Sequence, residues 1–255
     1  MKVEGTILEN QDELEKERAG RLAINEIFYS LQGEGKFVGT PMIFVRTNIC
    51  HVGCSFCDTK YTWKKVSHNV FYTPEELLLA IHKVNDRCNM VCITGGEPLE
   101  QLDSLIPTVK LLKEKGVKVQ LETSGSIEIP KELSDNCFWV VCSPKRFEAK
   151  NFLSGINEIK ILITENTRED YVRGFIRKFS RKIWVSLQPI EPYPPSFGNP
   201  EGLSEVEVEE RRKSIEQIYE KEKQRWRKNV DKAVQIALNT GWKLSLQLHK
   251  HLGVR

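Results

Sequence analysis

The feature that most restricts the fold of this chain is a repeated alternation of short apolar runs with helical patterns. Runs rich in β-branched and aromatic residues lie at 41–48 (PMIFVRTN), 89–94 (NMVCIT), 117–123 (VKVQLET), 138–142 (FWVVC), 158–163 (EIKILI) and 183–188 (IWVSLQ), and each has the length of a buried strand. Between several of them the apolar spacing lengthens to three and four residues. TPEELLLAIHKVND has Thr73 as cap and Pro74 at the first helical position, LDSLIPTVKLLKEKG stops at Gly116, and NTREDYVRGFIRKFS gives a third pattern. Parallel strands need crossovers of this size, so the alternation predicts a mostly parallel α/β sheet, closed or partly closed as a barrel. Pro107 falls inside the second pattern and predicts a kink or a late helix start.

With 255 residues, 40% of them hydrophobic, the chain is long enough for one large domain or a domain with an insertion. Lys and Arg (38) are nearly balanced by Asp and Glu (35), so nothing demands a nucleic-acid partner. Residues 1–20 lack the basic-then-apolar layout of a secretory signal, and no run reaches the ~18 apolar residues of a membrane span. A cytoplasmic protein is expected, with residues 1–21 as a charged tail and 22–255 as the folded domain. Four prolines interrupt the rhythm at 192–200, and a long charged helix follows from about Ser204 to Asn239. The stretch 192–240 therefore reads as an insertion. Trp226, Val230, Ala233 and Ala237 make an apolar stripe on the helix's second half, whereas its first half reads as a solvated face or, alternatively, a dimer or partner surface.

Seven cysteines in a reducing compartment point to metal or redox chemistry more than to disulfides. Three of them, Cys50, Cys54 and Cys57, fall within CHVGCSFC. A structural zinc site takes four ligands, usually as two separated pairs, and no candidate fourth ligand (His51, Asp58, His68, Cys88 or Cys92) stands at that spacing. A ferredoxin cluster also takes four thiolates. Three thiolates on a four-iron cluster leave one iron open to a small chelating molecule, which is a catalytic arrangement. Cys88, Cys92, Cys137 and Cys142 read as buried small hydrophobes.

The C-x3-C-x2-C spacing, with Phe56 before the last cysteine, resembles the cluster loop of radical S-adenosylmethionine (SAM) enzymes. TGGEP at 94–98 directly follows a strand, as the GGEP motif of that superfamily does. On its own this would be an ordinary turn into a helix. Its glycines admit close backbone approach at a strand end, where barrels place their sites. The resemblance narrows to the 7-carboxy-7-deazaguanine synthase family. SLQGEGKFVGTPMIFVR (30–46), CDT (57–59), CSPK (142–145), SLQP (186–189) and LQLHK (246–250) carry it, and it extends over about 22–255. The chain departs from the family at Ile49 and His51, where Gly and Asn are common.

That resemblance implies the partial parallel (β/α) barrel of the radical SAM type, a 4Fe-4S cluster on Cys50, Cys54 and Cys57, and SAM on its open iron. It implies a carbon–nitrogen lyase in queuosine and deazapurine biosynthesis. An electron splits SAM, the resulting radical takes hydrogen from C6 of 6-carboxy-5,6,7,8-tetrahydropterin, the ring contracts and ammonia leaves. Phe56, Cys57, Asp58, Gly95, Gly96, Glu97, Ser143, Pro144, Lys145, Gln188, Pro189, Ile190 and Glu191 are placed against SAM. Leu31, Gln32, Gly33, Glu34, Arg46, Thr94, His249 and the terminal carboxylate of Arg255 are placed against the pterin, and Thr59 on Mg2+. Arg46 on its apolar strand could equally be a structural salt bridge, Thr59 a plain loop residue, and 31–34 a glycine-rich turn. His249 is expected on a final strand. A homodimer and a reductant such as flavodoxin or ferredoxin are also implied. A glycyl-radical activase is the alternative enzyme, although it has no need of Arg46, the LQGEG loop or the LHK tail. A non-enzymatic electron carrier is disfavoured because its open iron would be liable to damage.

Overall fold

The computed structural model describes residues 20–63, 70–145, 154–179, 182–191 and 204–254. Most of the charged tail (1–19), His68, the proline-rich stretch 192–203 and Arg255 lie outside the described residues. In chain order the strands are β1 (Leu22–Leu31), β2 (Pro41–Thr47), β3 (Val70–Tyr72), β4 (Met90–Gly95), β5 (Lys118–Thr123), β6 (Trp139–Cys142), β7 (Glu158–Ile163), β8 (Trp184–Pro189) and β9 (Lys243–Leu244). The helices are α1 (Pro74–Val84), α2 (Leu102–Glu114), α3 (Lys131–Ser134), α4 (Glu169–Ile176), α5 (Glu205–Thr240) and α6 (Leu248–Leu252).

The strands form one sheet in the order β3-β1-β2-β4-β5-β6-β7-β8-β9. Every pair from β2 through β9 is parallel, and only β1 runs antiparallel to its neighbours β2 and β3. β3 and β9 are edges, so the sheet is an unclosed, partial barrel, as expected. All six sequence-predicted strands are present. β1 escapes the periodicity because a register shift between Ile24 and Glu26 breaks its alternation, and β3 and β9 are too short to signal.

The two faces of the sheet differ, and the difference places the site. Ile43 and Val45, Val91 and Ile93, Val119 and Leu121, and Ile159 and Ile161 pack in one apolar cluster with Leu77 and Ile81 of α1, Leu105, Val109 and Leu112 of α2, Val172 and Phe175 of α4, and Ala233 and Ile236 of α5. Each Val, Leu, Ile or Phe among them contributes about 1.5–3 kcal/mol on burial. At the alternate positions Met42, Phe44 and Cys92 form a small second apolar cluster with Phe28, and the rest are Arg46, Thr94, Gln120, Glu122, Glu158, Lys160, Ser186 and Gln188. A parallel sheet covered by helices on both sides is apolar at both positions. The polar face therefore lines a cleft.

α1 begins with the expected Thr73 cap, completed as a capping box by Glu76, with Pro74 in the first turn. α2 runs unbroken through Pro107 from Leu102, where a short 3-10 turn, Pro98–Gln101, leads into it. α5 starts from a Ser204–Glu207 capping box and ends at Gly241, whose φ of 74° suits the left-handed cap. Its second half packs on the sheet, and buried Asn229 accepts from Glu165 N and donates to Ile190 O at 2.8 and 2.9 Å. The helix is thereby fixed to the end of β8. One expectation is corrected. His249 lies on α6, not on a strand; β9 ends at Leu244, and Leu248 N then donates to Gly33 O at 3.0 Å. Leu248 and Leu252 have helical spacing, and Gly253, at φ 64°, ends the turn.

Candidate active site

One cleft over the polar face takes in every predicted site residue among those described, except Pro144 and Pro189. Most of it is built from the C-terminal ends of β2, β4, β6 and β8, which is where such barrels hold their ligands. The loop after β1 and helix α6 close it.

The loop after β1 owes its shape to glycines and to β7. Gln32 and Gly39 are bonded across it (Gln32 N to Thr40 O 2.8 Å, Gly39 N to Gln32 O 2.7 Å). A Cβ on Gly33 would come within 2.0 Å of His249 Nδ1, so glycine there is what lets α6 lie down on the loop. Buried Glu158 accepts from Lys36 N at 3.2 Å, Trp139 Nε1 at 3.0 Å and Ser186 Oγ at 2.5 Å. Burial pushes its carboxyl upward and these donors oppose the shift.

The cysteine loop is held by backbone bonds independent of any sulfur. Ile49 N donates to Thr62 O at 2.8 Å, Cys57 N to Cys54 O at 3.0 Å and Thr62 N to Thr59 O at 2.9 Å. His51, bonded through N and Nδ1 to Glu100 Oε1, is occupied there. Ile49 adopts φ 74°, a left-handed conformation that costs a β-branched residue about 1 kcal/mol or more. The loop clearly keeps the shape that glycine would adopt freely. The three thiols face the cleft, and burial raises those of Cys50 and Cys54. Among the described residues no three His, Cys, Asp or Glu gather closely enough to hold a single metal ion. Three cysteine thiols on one loop facing the cleft are a donor set that fits a polynuclear iron-sulfur cluster. Cys92 and Cys142 are buried, Cys88 and Cys137 partly so, and none of the four lines the cleft.

The GGEP turn serves the chain itself. A Cβ on Gly96 would sit 2.1 Å from Ile49 O, and Gly96 N and Glu97 N donate to Thr47 O and Ile49 O at 2.9 and 2.8 Å. The glycines admit the lead-in to the cysteine loop. The Glu97 carboxylate turns into the scaffold, accepting from Leu99 N at 3.2 Å, Thr123 Oγ1 at 2.6 Å, Ser124 N at 2.8 Å and Ser124 Oγ.

Arg46 lines the cleft while its Nε donates to Glu26 Oε1 at 2.7 Å. Burial works against its charge, but Tyr61 and Glu26 hold its pKa above the ordinary value. Thr59 Oγ1 lies 3.5 Å from Cys57 Sγ. Lys145 Nζ donates to Ser143 Oγ at 2.9 Å, and burial and then Lys160 lower its pKa. Asp58 pairs with Lys250 at 3.2 Å, and Glu191 lies 3.7 Å from His251. Burial lowers the pKa of His249, which favours the neutral ring. Sequence reasoning missed Glu122, Lys160, Gln120 and Gln247. The first three occupy every second position in VKVQLET and EIKILI, and that polar alternation was the available signal.

A family model described as the radical SAM superfamily matches residues 44–185. The 7-carboxy-7-deazaguanine synthase of Rickettsia prowazekii is 30% identical over 243 residues, covering 92% of this chain and 89% of that protein. That of Synechocystis is 32% identical over 234 residues, covering 91% and 93%. The crystal structure of QueE from Escherichia coli superposes with a TM-score of 0.66 at 27% identity, covering 91% of this chain and 97% of that one.

Proposed function

The chain belongs to the 7-carboxy-7-deazaguanine synthase family of the radical SAM superfamily, and we propose that its cleft contracts the ring of 6-carboxy-5,6,7,8-tetrahydropterin to 7-carboxy-7-deazaguanine with loss of ammonia. The observation that carries this reading is convergence: the three-cysteine loop, the GGEP turn and Arg46 border one cleft on a polar sheet face. Membership of a synthase family sets aside the activase alternative.

Cys50, Cys54 and Cys57 hold the cluster, which with SAM supplies the one-electron chemistry that begins the reaction by hydrogen abstraction. Ser143, Lys145, Gln188, Ile190 and Glu191 border the side of the cleft assigned to the adenosine. Gly95, which ends β4, and Gly96 border the methionine end, and Thr94 faces the heterocycle. Glu97 contributes by fixing this turn. Arg46 takes the substrate carboxylate, a match for its planar fork. Gln32, Glu34 and His249 meet the heterocycle, and α6 covers it from water. The assay is anaerobic reconstitution with iron and sulfide followed by SAM, a reductant and the carboxylated pterin. Formation of 7-carboxy-7-deazaguanine is expected, and a fully loaded protein that makes none overturns the proposal.

Thr59 is assigned to Mg2+, since that ion keeps several waters and substrate oxygens and needs few protein ligands. Thr59→Ala should reduce stimulation of turnover by Mg2+ while leaving iron content unchanged. An unaltered Mg2+ titration removes Thr59 from the site. The terminal carboxylate of Arg255 is assigned to the amino-pyrimidinone edge of the pterin, whose N–H donors it can accept in parallel. A peptide appended after Arg255 should lower turnover sharply, whereas the same peptide before Met1 should not. Equal turnover by the two tagged proteins, each with a full cluster, excludes a role for the free chain end.

A further inference from the structure

Two carboxylates and one ammonium are buried together at the floor of the cleft. Lys160 Nζ is bonded to Glu34 Oε2 and lies 3.6 Å from Glu122 Oε2, and the side chain of Lys160 is only 8% exposed. Other acceptor positions of both carboxylates are filled by the chain. Gln188 and Gln247 donate to Glu34 Oε1 at 3.2 and 2.8 Å. Gln32 and Gln120 donate to Glu122 Oε1 at 3.0 and 2.9 Å, and Thr94 Oγ1 donates to Glu122 Oε2 at 3.3 Å. Gln32 in turn accepts from Glu34 N at 3.1 Å. The loop after β1, the end of β4, β5, β8 and the segment before α6 thus meet on one cation from β7.

We propose that Lys160 is a positioning residue, the shared cation that holds Glu34 and Glu122, and through them Gln32 and Thr94, in one arrangement facing the bound heterocycle. The identity of that heterocycle rests on the function proposed above. Two carboxylates in one buried site repel and take up a proton unless a cation lies between them. Burial alone would lower Lys160, but Glu122 and Glu34 hold its pKa above the ordinary range. Burial alone would raise Glu34, yet Lys160, together with a bond from Gln247 and the nearby His249, brings it down to about 2. Glu158 on the same strand, Arg46 on β2, Lys145 after β6 and the Asp58–Lys250 pair are the other charged groups around this cluster. Glu34 held this low gives the native protein stability that is present above the ordinary carboxylate range and lost as pH falls toward about 2. Without Lys160 the sign reverses: a raised carboxylate pKa gives stability at low pH that disappears as pH rises through it.

The test compares Lys160→Met and Lys160→Arg, both reconstituted to full iron, with the native protein. Lys160→Met should raise KM for the pterin about tenfold and leave KM for SAM within about twofold. Its Tm relative to that of the native protein should fall between about pH 5 and 8. Lys160→Arg should restore the native profile. Should Lys160→Met fail to fold, Lys160→Met with Glu122→Gln, which keeps the net charge of the cluster, should fold and still bind the pterin weakly. A native pterin KM in either folded variant, or a raised KM in Lys160→Met with an unchanged Tm–pH profile, overturns the proposal. If the native protein does not turn over the pterin, the functional reading fails. The Tm–pH comparison then still decides the role of Lys160, because a native Tm–pH profile in Lys160→Met refutes it whatever the ligand.

Discussion

Cys54→Ala should yield a folded, colourless protein with background iron and sulfide after anaerobic reconstitution and no measurable turnover. The expectation follows from what the cysteine loop does and does not use. Its shape comes from the backbone bonds of Ile49, Cys57 and Thr62 and from the His51–Glu100 contact, so deleting one sulfur removes none of these bonds. The metal-free Tm should therefore move by no more than about 2–4 °C, the shift that ~1 kcal/mol produces in a chain of this size. No substitute ligand is at hand. Cys92 and Cys142 are buried and do not line the cleft, Cys92 Sγ being held among Gln32 and Gln120 beneath it, and burial holds the Cys137 thiol at about 12. Two thiolates cannot retain a cluster that three already leave open at one iron. Cys92→Ala, in contrast, should bind iron normally. Full iron content and turnover in Cys54→Ala would remove the central assignment.

What the sequence revealed and what it concealed divide along a physical line. Local patterns were legible: the strand runs of β2 and β4–β8, the Thr73 cap, the α5 start at Ser204, and motifs whose residues are neighbours in the chain. Features created by distant pairing were not. Lys160 and Glu34 are 126 residues apart, and nothing near either one announces the other. Lys160 and Glu122 lay in runs read simply as buried strands, although the polar residues alternating there already marked a face turned away from helices. Glu97 reads from its motif as a cofactor contact, but its carboxylate is occupied by Thr123, Ser124 and Leu99, residues that only the fold brings to it. LQLHKHLGVR reads as a final strand carrying His249, but β9 is short and, with Leu248 N bonded to Gly33 O, the chain continues as a helix instead. The structural salt bridge considered for Arg46 does exist, and its partner Glu26 lies on β1, the strand that a bulge hid.

That salt bridge sharpens the last expectation. Arg46→Lys should raise KM for the carboxylated pterin roughly 30- to 100-fold, the loss of a bidentate charged contact, with a smaller change in kcat. The guanidinium commits Nε to Glu26 at 2.7 Å, and because it is planar that one bond orients the whole fork. Its Nη groups offer the paired donors that a second carboxylate, the one the substrate brings, would take. Tyr61 secures the arrangement by donating to the same Glu26 oxygen at 2.9 Å; burial, followed by Glu26 as acceptor, pushes its phenol up to about 12 despite the opposing charge of Arg46. A lysine has one compact ammonium and cannot satisfy Glu26 and the substrate with this geometry. It will settle on Glu26, which is always present, and leave the substrate carboxylate unmatched. The KM for SAM should stay within about twofold and the iron content unchanged, since neither depends on this fork. A pterin analogue lacking the 6-carboxylate should bind native and Arg46→Lys proteins equally. If the carboxylated pterin also binds the two equally, Arg46 is only the partner of Glu26 and the substrate carboxylate is held elsewhere in the cleft.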